Sequence, residues 1–142
     1  MSEATNATDT IDSALASLLR AHCPRVAPST EVTKVTSDLP RVVYTLIDTD
    51  RLDSDDGPSS LATATYQLDI FAARASDARS LADAIRVALN GRGPELASSP
   101  RIERITLRGD RFVPGQRAEG ENAVVARFSF DVTVTYREQI AV

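Results

Sequence analysis

VVARFSFDVTVTY, residues 124–136, is the most strictly alternating stretch of this chain. Val124, Ala126, Phe128, Phe130, Val132, Val134 and Tyr136 fall on one side, and Val125, Arg127, Ser129, Asp131, Thr133 and Thr135 on the other. Successive side chains of a strand point to opposite faces, so the pattern predicts a strand with one face in a core and the other turned to water or a partner subunit. At about 1.5–3 kcal/mol for each large apolar side chain fully buried, this strand anchors the fold. The same alternation runs through residues 61–74, where Ala62, Ala64, Tyr66, Leu68, Ile70 and Ala72 share a face. It returns more weakly over residues 101–113, with Ile105 and Leu107 inward. The alanines of the 61–74 strand leave room for an element lying close upon it, most simply a helix.

Between those two strands ASDARSLADAIRVALNG reads as a helix, with Ala78, Leu81, Ala82, Ile85, Ala88 and Leu89 on one stripe and Arg79 and Arg86 on the wet side. Ser76 is the expected N-cap, Asp77 complements the positive helix start, and Gly91 sits where a left-handed residue ends a helix. Nearer the start, Asp9 or Thr10 can cap a helix carrying Ile11, Ala14, Leu15, Leu18 and Leu19 at helical spacing, which stops before Pro24. Residues 23–30 contain two prolines and read as a connector, and Val32 and Val35 mark a short edge strand. A firm strand begins at Arg41, because Pro40 is tolerated only at a strand start. Residues 48–60, DTDRLDSDDGPSS, read as an acidic loop, and residues 114–122 as a long hydrophilic hairpin loop.

The expected fold class is α+β, an antiparallel β-sheet with two α-helices packed on one face, in the order α-β-β-α-β-β. Length and pattern predict a flexible N-terminal arm over residues 1–8 and a single domain over residues 9–142. The 42% hydrophobic and 25% charged fractions are those of an ordinary globular chain. No apolar run reaches the length of a membrane span, and the polar first ten residues lack the basic and apolar regions of a signal peptide. A single cysteine excludes an internal disulfide framework. The net charge of −4 provides no polycationic footprint for nucleic acid.

Tests for chemistry come back empty. His22 and Cys23 are neighbours at a helix end and point apart, whereas a base must reach its nucleophile, and no second histidine exists for a zinc site. An EF-hand reading of the acidic loop places Leu52, Ser54 and Asp56 at the ligand positions and Thr63 where glutamate is required, so it fails. Asp53, Asp55 and Asp56 then read as a solvated charged loop, with an adventitious cation as the lesser option. Gly91-Arg92-Gly93 follows a helix, and phosphate loops precede one. Asp69 and Asp131 fall on the side away from the core, which means either solvent or a subunit interface. No catalytic, cofactor or metal residues emerge, and an enzyme is disfavoured.

Three stretches taken together carry a resemblance: LPRVVY at 39–44, YQLDIFAARASDARSLADAIRVALNG at 66–91 and RFSFDVTVTYRE at 127–138. In this order and spacing they resemble the tail-completion or tail-terminator proteins of long-tailed phages and phage-like particles. The resemblance implies a non-enzymatic virion protein of the tail or neck, assembled in the host cytoplasm and needing no cofactor. It implies a ring, typically six-fold, that caps the tail tube at its head-proximal end, stops its growth and meets the head connector or stopper protein. DNA would pass through the lumen without specific binding; six copies carry about −24 charges in sum. The two long loops are then expected to bear partner contacts, with Asp53, Asp55, Asp56, Arg111 and Arg117 as the candidate interface residues. A different class stays open beside it: a small ligand-binding or regulatory α+β domain.

Overall fold

The computed structural model describes residues 10–31, 39–52, 59–97, 100–117 and 124–139. Helix α1 (Ile11–Arg20) opens on Thr10, whose hydroxyl accepts from the amide of Ser13 at 3.1 Å. Strand β1 (Val26–Pro28) leads into a single 3-10 turn (Ser29–Glu31), and β2 (Arg41–Leu52) and β3 (Ser59–Ala72) follow as a hairpin. Helix α2 (Ala75–Leu89) then crosses to a second hairpin, β4 (Arg101–Arg117) and β5 (Val124–Gln139). The five strands form one sheet in the order β1-β2-β3-β5-β4. β2, β3, β5 and β4 alternate in direction, and β1 runs parallel to β2.

The strand written at 124–136 occupies the interior of the sheet, as its alternation demands. Ala126, Phe128, Phe130, Val132, Val134 and Tyr136 are buried, opposite Ala72, Ile70, Leu68, Tyr66, Ala64 and Ala62 of β3. Both helices cover this one face: Leu15, Ala16 and Leu19 of α1 and Ala78, Ala82, Ile85 and Leu89 of α2 join the strand side chains in one continuous core. The alanines of β3 admit α2 closely. Tyr66, fully buried, packs edge-on against Tyr44 with centroids 6.2 Å apart, and its hydroxyl donates to Asp12 of α1. Burial first, then this carboxylate, pushes the Tyr66 phenol well above its ordinary value. This bond joins α1 to the sheet beside the buried Leu15, Ala16 and Leu19.

Five expectations need correction. The stretch 23–30 is more than a connector: Val26–Pro28 pairs with Val42, Val43 and Tyr44, and Val26 is buried. Proline closes this three-residue strand at its outer end, where it interrupts no ladder. The buried Cys23 thiol sits 3.4 Å from the Pro40 carbonyl oxygen, tying the segment to the start of β2, where the Leu39–Pro40 peptide is cis. The N-cap of α2 is Arg74, extended at φ −130°, ψ 150°, and not Ser76; no side chain caps this end, and Asp77 in the first turn supplies the negative charge. Arg86 is half-buried and paired with Asp83 at 3.3 Å and with Asp110, instead of lying free in water. The two hairpins are also longer than expected. β2 continues to Leu52 and β3 starts at Ser59, while β4 continues to Arg117 and β5, starting at Val124 as expected, runs on to Gln139. Cross-strand pairing therefore holds charged residues that composition alone assigned to loops. Val32 and Val35 lie outside the described residues.

Strand β4 keeps its hydrophobic face through bulges. Ile102, Ile105 and Leu107 are all buried, which strict alternation forbids; a register shift between Ile102 and Arg104 restores the phase. A second bulge lies between Arg108 and Arg111, where Gly109 takes φ +72°. After α2 the chain is fastened to this strand: the Gly91 amide donates to Ile105 at 2.7 Å and Ile105 returns a bond to Arg92 at 2.8 Å. A Cβ at Gly93 would lie 2.3 Å from the Glu103 carbonyl oxygen, so the approach requires glycine.

Candidate interaction surfaces

The face of the sheet turned away from α1 and α2 is built round an ionic cluster. Asp69 accepts from Arg127 through Nε and a terminal nitrogen, both at 3.0 Å, from the Ser129 hydroxyl at 2.6 Å and from Gln67 Nε2 at 3.1 Å. Arg127 lies over the Phe71 ring, 5.8 Å from its centroid, and Phe71 packs with Val43 and Leu39 in a small second core. In consequence Asp69 is 6% exposed and Ser129 2%, although among the described residues no helix covers them. Solvent and a subunit interface were the two sequence readings of Asp69; intramolecular burial under Arg127 is the third that the structure adds. Asp131 is half exposed and accepts from Arg111 at 3.4 Å.

The sheet edges differ from its centre. β1 occupies the outer side of β2 only from Val42 to Tyr44. Among the described residues nothing pairs with residues 45–52 on that side, nor with β4 on its outer side. Leu46 and Ile47, at a register shift in β2, are 47% and 58% exposed, and Phe112 of β4 is 48% exposed. Apolar groups of this size on open strands are material for association. Asp48, Asp50, Arg104 and Arg108 also stand exposed on these two strands. The sequence reading missed all four. Continued alternation through IDTDRL was the available signal, and the acidic composition masked it.

The hairpins leave the sheet at opposite ends. Leu52 is level with Leu61, Arg137 and Arg101, whereas Arg117 pairs with Val124 beyond the other end of β3. Asp53, Asp55 and Asp56 lie outside the described residues. Arg111 is placed in the body of β4, already paired with Asp131, and Arg117 closes β4. Arg111, level with Ser129, and Arg117, level with Val124, therefore stand at different heights on β4. A groove of about 530 Å³ lies between the end of α1 and the start of α2, lined by His22, Leu39, Pro40, Ala72, Asp77 and Leu81 among others. Its lining is mainly apolar; His22, Asp77 and Ser80 also line it, and no hydrogen bond joins any two of these three. Among the described residues no cluster of His, Cys, Asp and Glu is arranged to hold a metal ion, and no helix is long and apolar enough to cross a membrane.

Comparison with known proteins gives one sequence family and one fold. Among solved structures, a chain in "Virion of native gene transfer agent (GTA) particle" is similar over 84% of this chain and 84% of its own length, with a TM-score of 0.50 and 18% identity. At that identity the likeness speaks for the fold. No curated protein matches. The family described as "Tail completion protein gp17" matches residues 10–136, from the cap of α1 to the last core tyrosine of β5. The chain belongs to the tail completion protein gp17 family, structural proteins of the virion tail.

Proposed function

We propose that this chain is a tail terminator: a closed ring, six-fold in our reading, that caps the tail tube at its head-proximal end and joins it to the head connector. The observation that carries the reading, beside family membership, is the exit of the two long hairpins from opposite ends of one sheet. A joining protein needs two separate contact surfaces, and strands of 12–17 residues hold these ends apart. At about 3.3 Å per residue they span roughly 40–55 Å. The helix-covered face supplies rigidity, and the open edges supply material for a head-to-tail interface that closes by rotation. Asp53, Asp55, Asp56 and Arg117 at the hairpin ends are our candidates for contact with tube and connector, with Arg111 contributing from within β4. DNA traverses the lumen without specific contacts, and the protein performs no catalysis.

Electron microscopy of particles made with and without the chain tests this. The expected result is a ring on one end of each tail when it is present, and overlong tails with unjoined heads when it is absent. Normal tail length and joined heads in its absence would overturn the reading.

A further inference from the structure

Charge is distributed unequally between the two open edges. On β2, Asp48 and Asp50 are exposed and form no ion pair among the described residues. On β4, Arg104 and Arg108 are exposed and likewise without an ion pair. Other charges nearby are matched: Arg101 and Arg137 share Glu103, and Arg111 holds Asp131.

Register places these four groups on one face and at neighbouring heights. Asp50 lies opposite Thr63, Thr63 opposite Thr135, and Thr135 opposite Arg104. By the same route Asp48 is level with Thr106, and Thr45 with Arg108. Thr63 and Thr135 alternate with the buried Ala62 and Tyr136, so the row belongs to the face turned away from α1 and α2. Residues 45–52 of β2, whose outer side no strand among the described residues joins, therefore stand at the same height as residues 101–108 of β4, across the full width of the sheet.

Direction agrees as well. Four strands alternate from β2 to β4, so the two edges run in opposite senses. When copies are related by rotation about an axis along the strands, β4 of one meets β2 of the next antiparallel. That is the better-bonded pairing, and it needs no inversion of either copy.

We propose that residues 101–108 of β4 add to residues 45–52 of β2 in the next copy, joined by Arg104 and Arg108 to Asp50 and Asp48, so that the sheets form a continuous wall. Directly opposed side chains meet, and diagonal neighbours about 7–8 Å apart remain within arginine's reach. Leu46 and Ile47 are covered in the process. The partner is a second copy of this chain, and the inference rests on the ring reading above.

The test uses two variants of the full chain, Asp48→Arg/Asp50→Arg and Arg104→Asp/Arg108→Asp, with assembly followed by sedimentation and native mass spectrometry. Because the four side chains are exposed, circular dichroism should match the wild type. Each variant alone is expected to need at least about tenfold more protein to assemble, since like charges then face each other. Mixing the two variants restores assembly, because each offers the edge the other lacks, and it yields only even-numbered rings with alternating copies. If both variants form rings like the wild type, the edge pairing is wrong and the ring stands. If the variants weaken assembly but their mixture fails to restore it, the pairing is also wrong. A wild-type chain that stays monomeric, alone and with tail tubes, overturns the ring and the pairing together.

Discussion

Replacing Asp69 with alanine probes how the sheet face turned away from α1 and α2 holds together. The carboxylate accepts two bonds from Arg127 at 3.0 Å, one from Ser129 at 2.6 Å and one from Gln67 at 3.1 Å. Removing one partner of a fully buried pair costs about 3–5 kcal/mol, because the other charge is left uncompensated. Here the Arg127 side chain is 25% exposed and keeps its place over Phe71, so part of its charge rehydrates. Ser129 retains the Leu68 carbonyl as an acceptor at 3.3 Å. Both facts lower the figure, and we expect a loss of about 2–3 kcal/mol, a large part of a typical total of about 5–15. Urea unfolding followed by circular dichroism measures it, with an unchanged denaturant slope showing that the fold is intact. Arg127→Met with Asp69→Ala should cost about 1–2 kcal/mol less than the two single losses added together, since the pair is removed as a unit. A loss below about 0.5 kcal/mol for Asp69→Ala, or additive losses in the cycle, would refute the account of a buried, mutually dependent cluster.

Three further outcomes follow from the core and its turns. Phe130→Ala empties a fully buried site at the centre of β5 and should cost about 3–5 kcal/mol in urea unfolding, far more than Val87→Ala on the exposed side of α2. Tyr66 has a folded-state value raised by burial and by Asp12, so its contribution is intact below about pH 10 and declines above it. Tyr66→Phe should therefore flatten the alkaline fall in stability by about 1.4 kcal/mol per pH unit, and identical slopes for both proteins would contradict this. Gly93→Ala drives a methyl group into the Glu103 carbonyl and should cost about 2–3 kcal/mol, whereas Gly91→Ala meets open space and bears only the φ +78° penalty of about 1. The reverse ranking in thermal or urea unfolding would show that the loop does not sit against β4.

The parts of the fold that were legible are those in which burial enforces a period. β5, β3 and the stripes of both helices follow from alternation and helical spacing, because each residue on them has one possible side. Val26–Pro28 was not legible, since three residues are too few to express a period and their pairing depends on β2, distant in sequence. The bulges of β4 were hidden for another reason: an extra residue at Glu103 shifts Ile105 back to the core, and only the partner strand reveals the shift. Ser76 failed as a cap because its side-chain chemistry suits the role and the chain's path out of β3 does not. For the interaction surfaces, residue types misled in both directions. Asp69 read as a surface acid and is buried, while Asp48 and Asp50 read as loop residues and stand on a strand. What distinguishes these aspartates is their neighbours across the sheet, which lie from 13 positions away in the chain (Asp50 to Thr63) to 60 (Asp69 to Ser129).

The opposed exits of the two hairpins also set how the molecule carries load. A pull between them is directed along the strands, so β3 and β5 are dragged lengthwise past each other and their fourteen residue pairs share the tension at once. The same ladder pulled from one end would part like a zip, a single rung at a time. A protein holding a filled head to its tail through these hairpins would be loaded in the direction in which its sheet yields last.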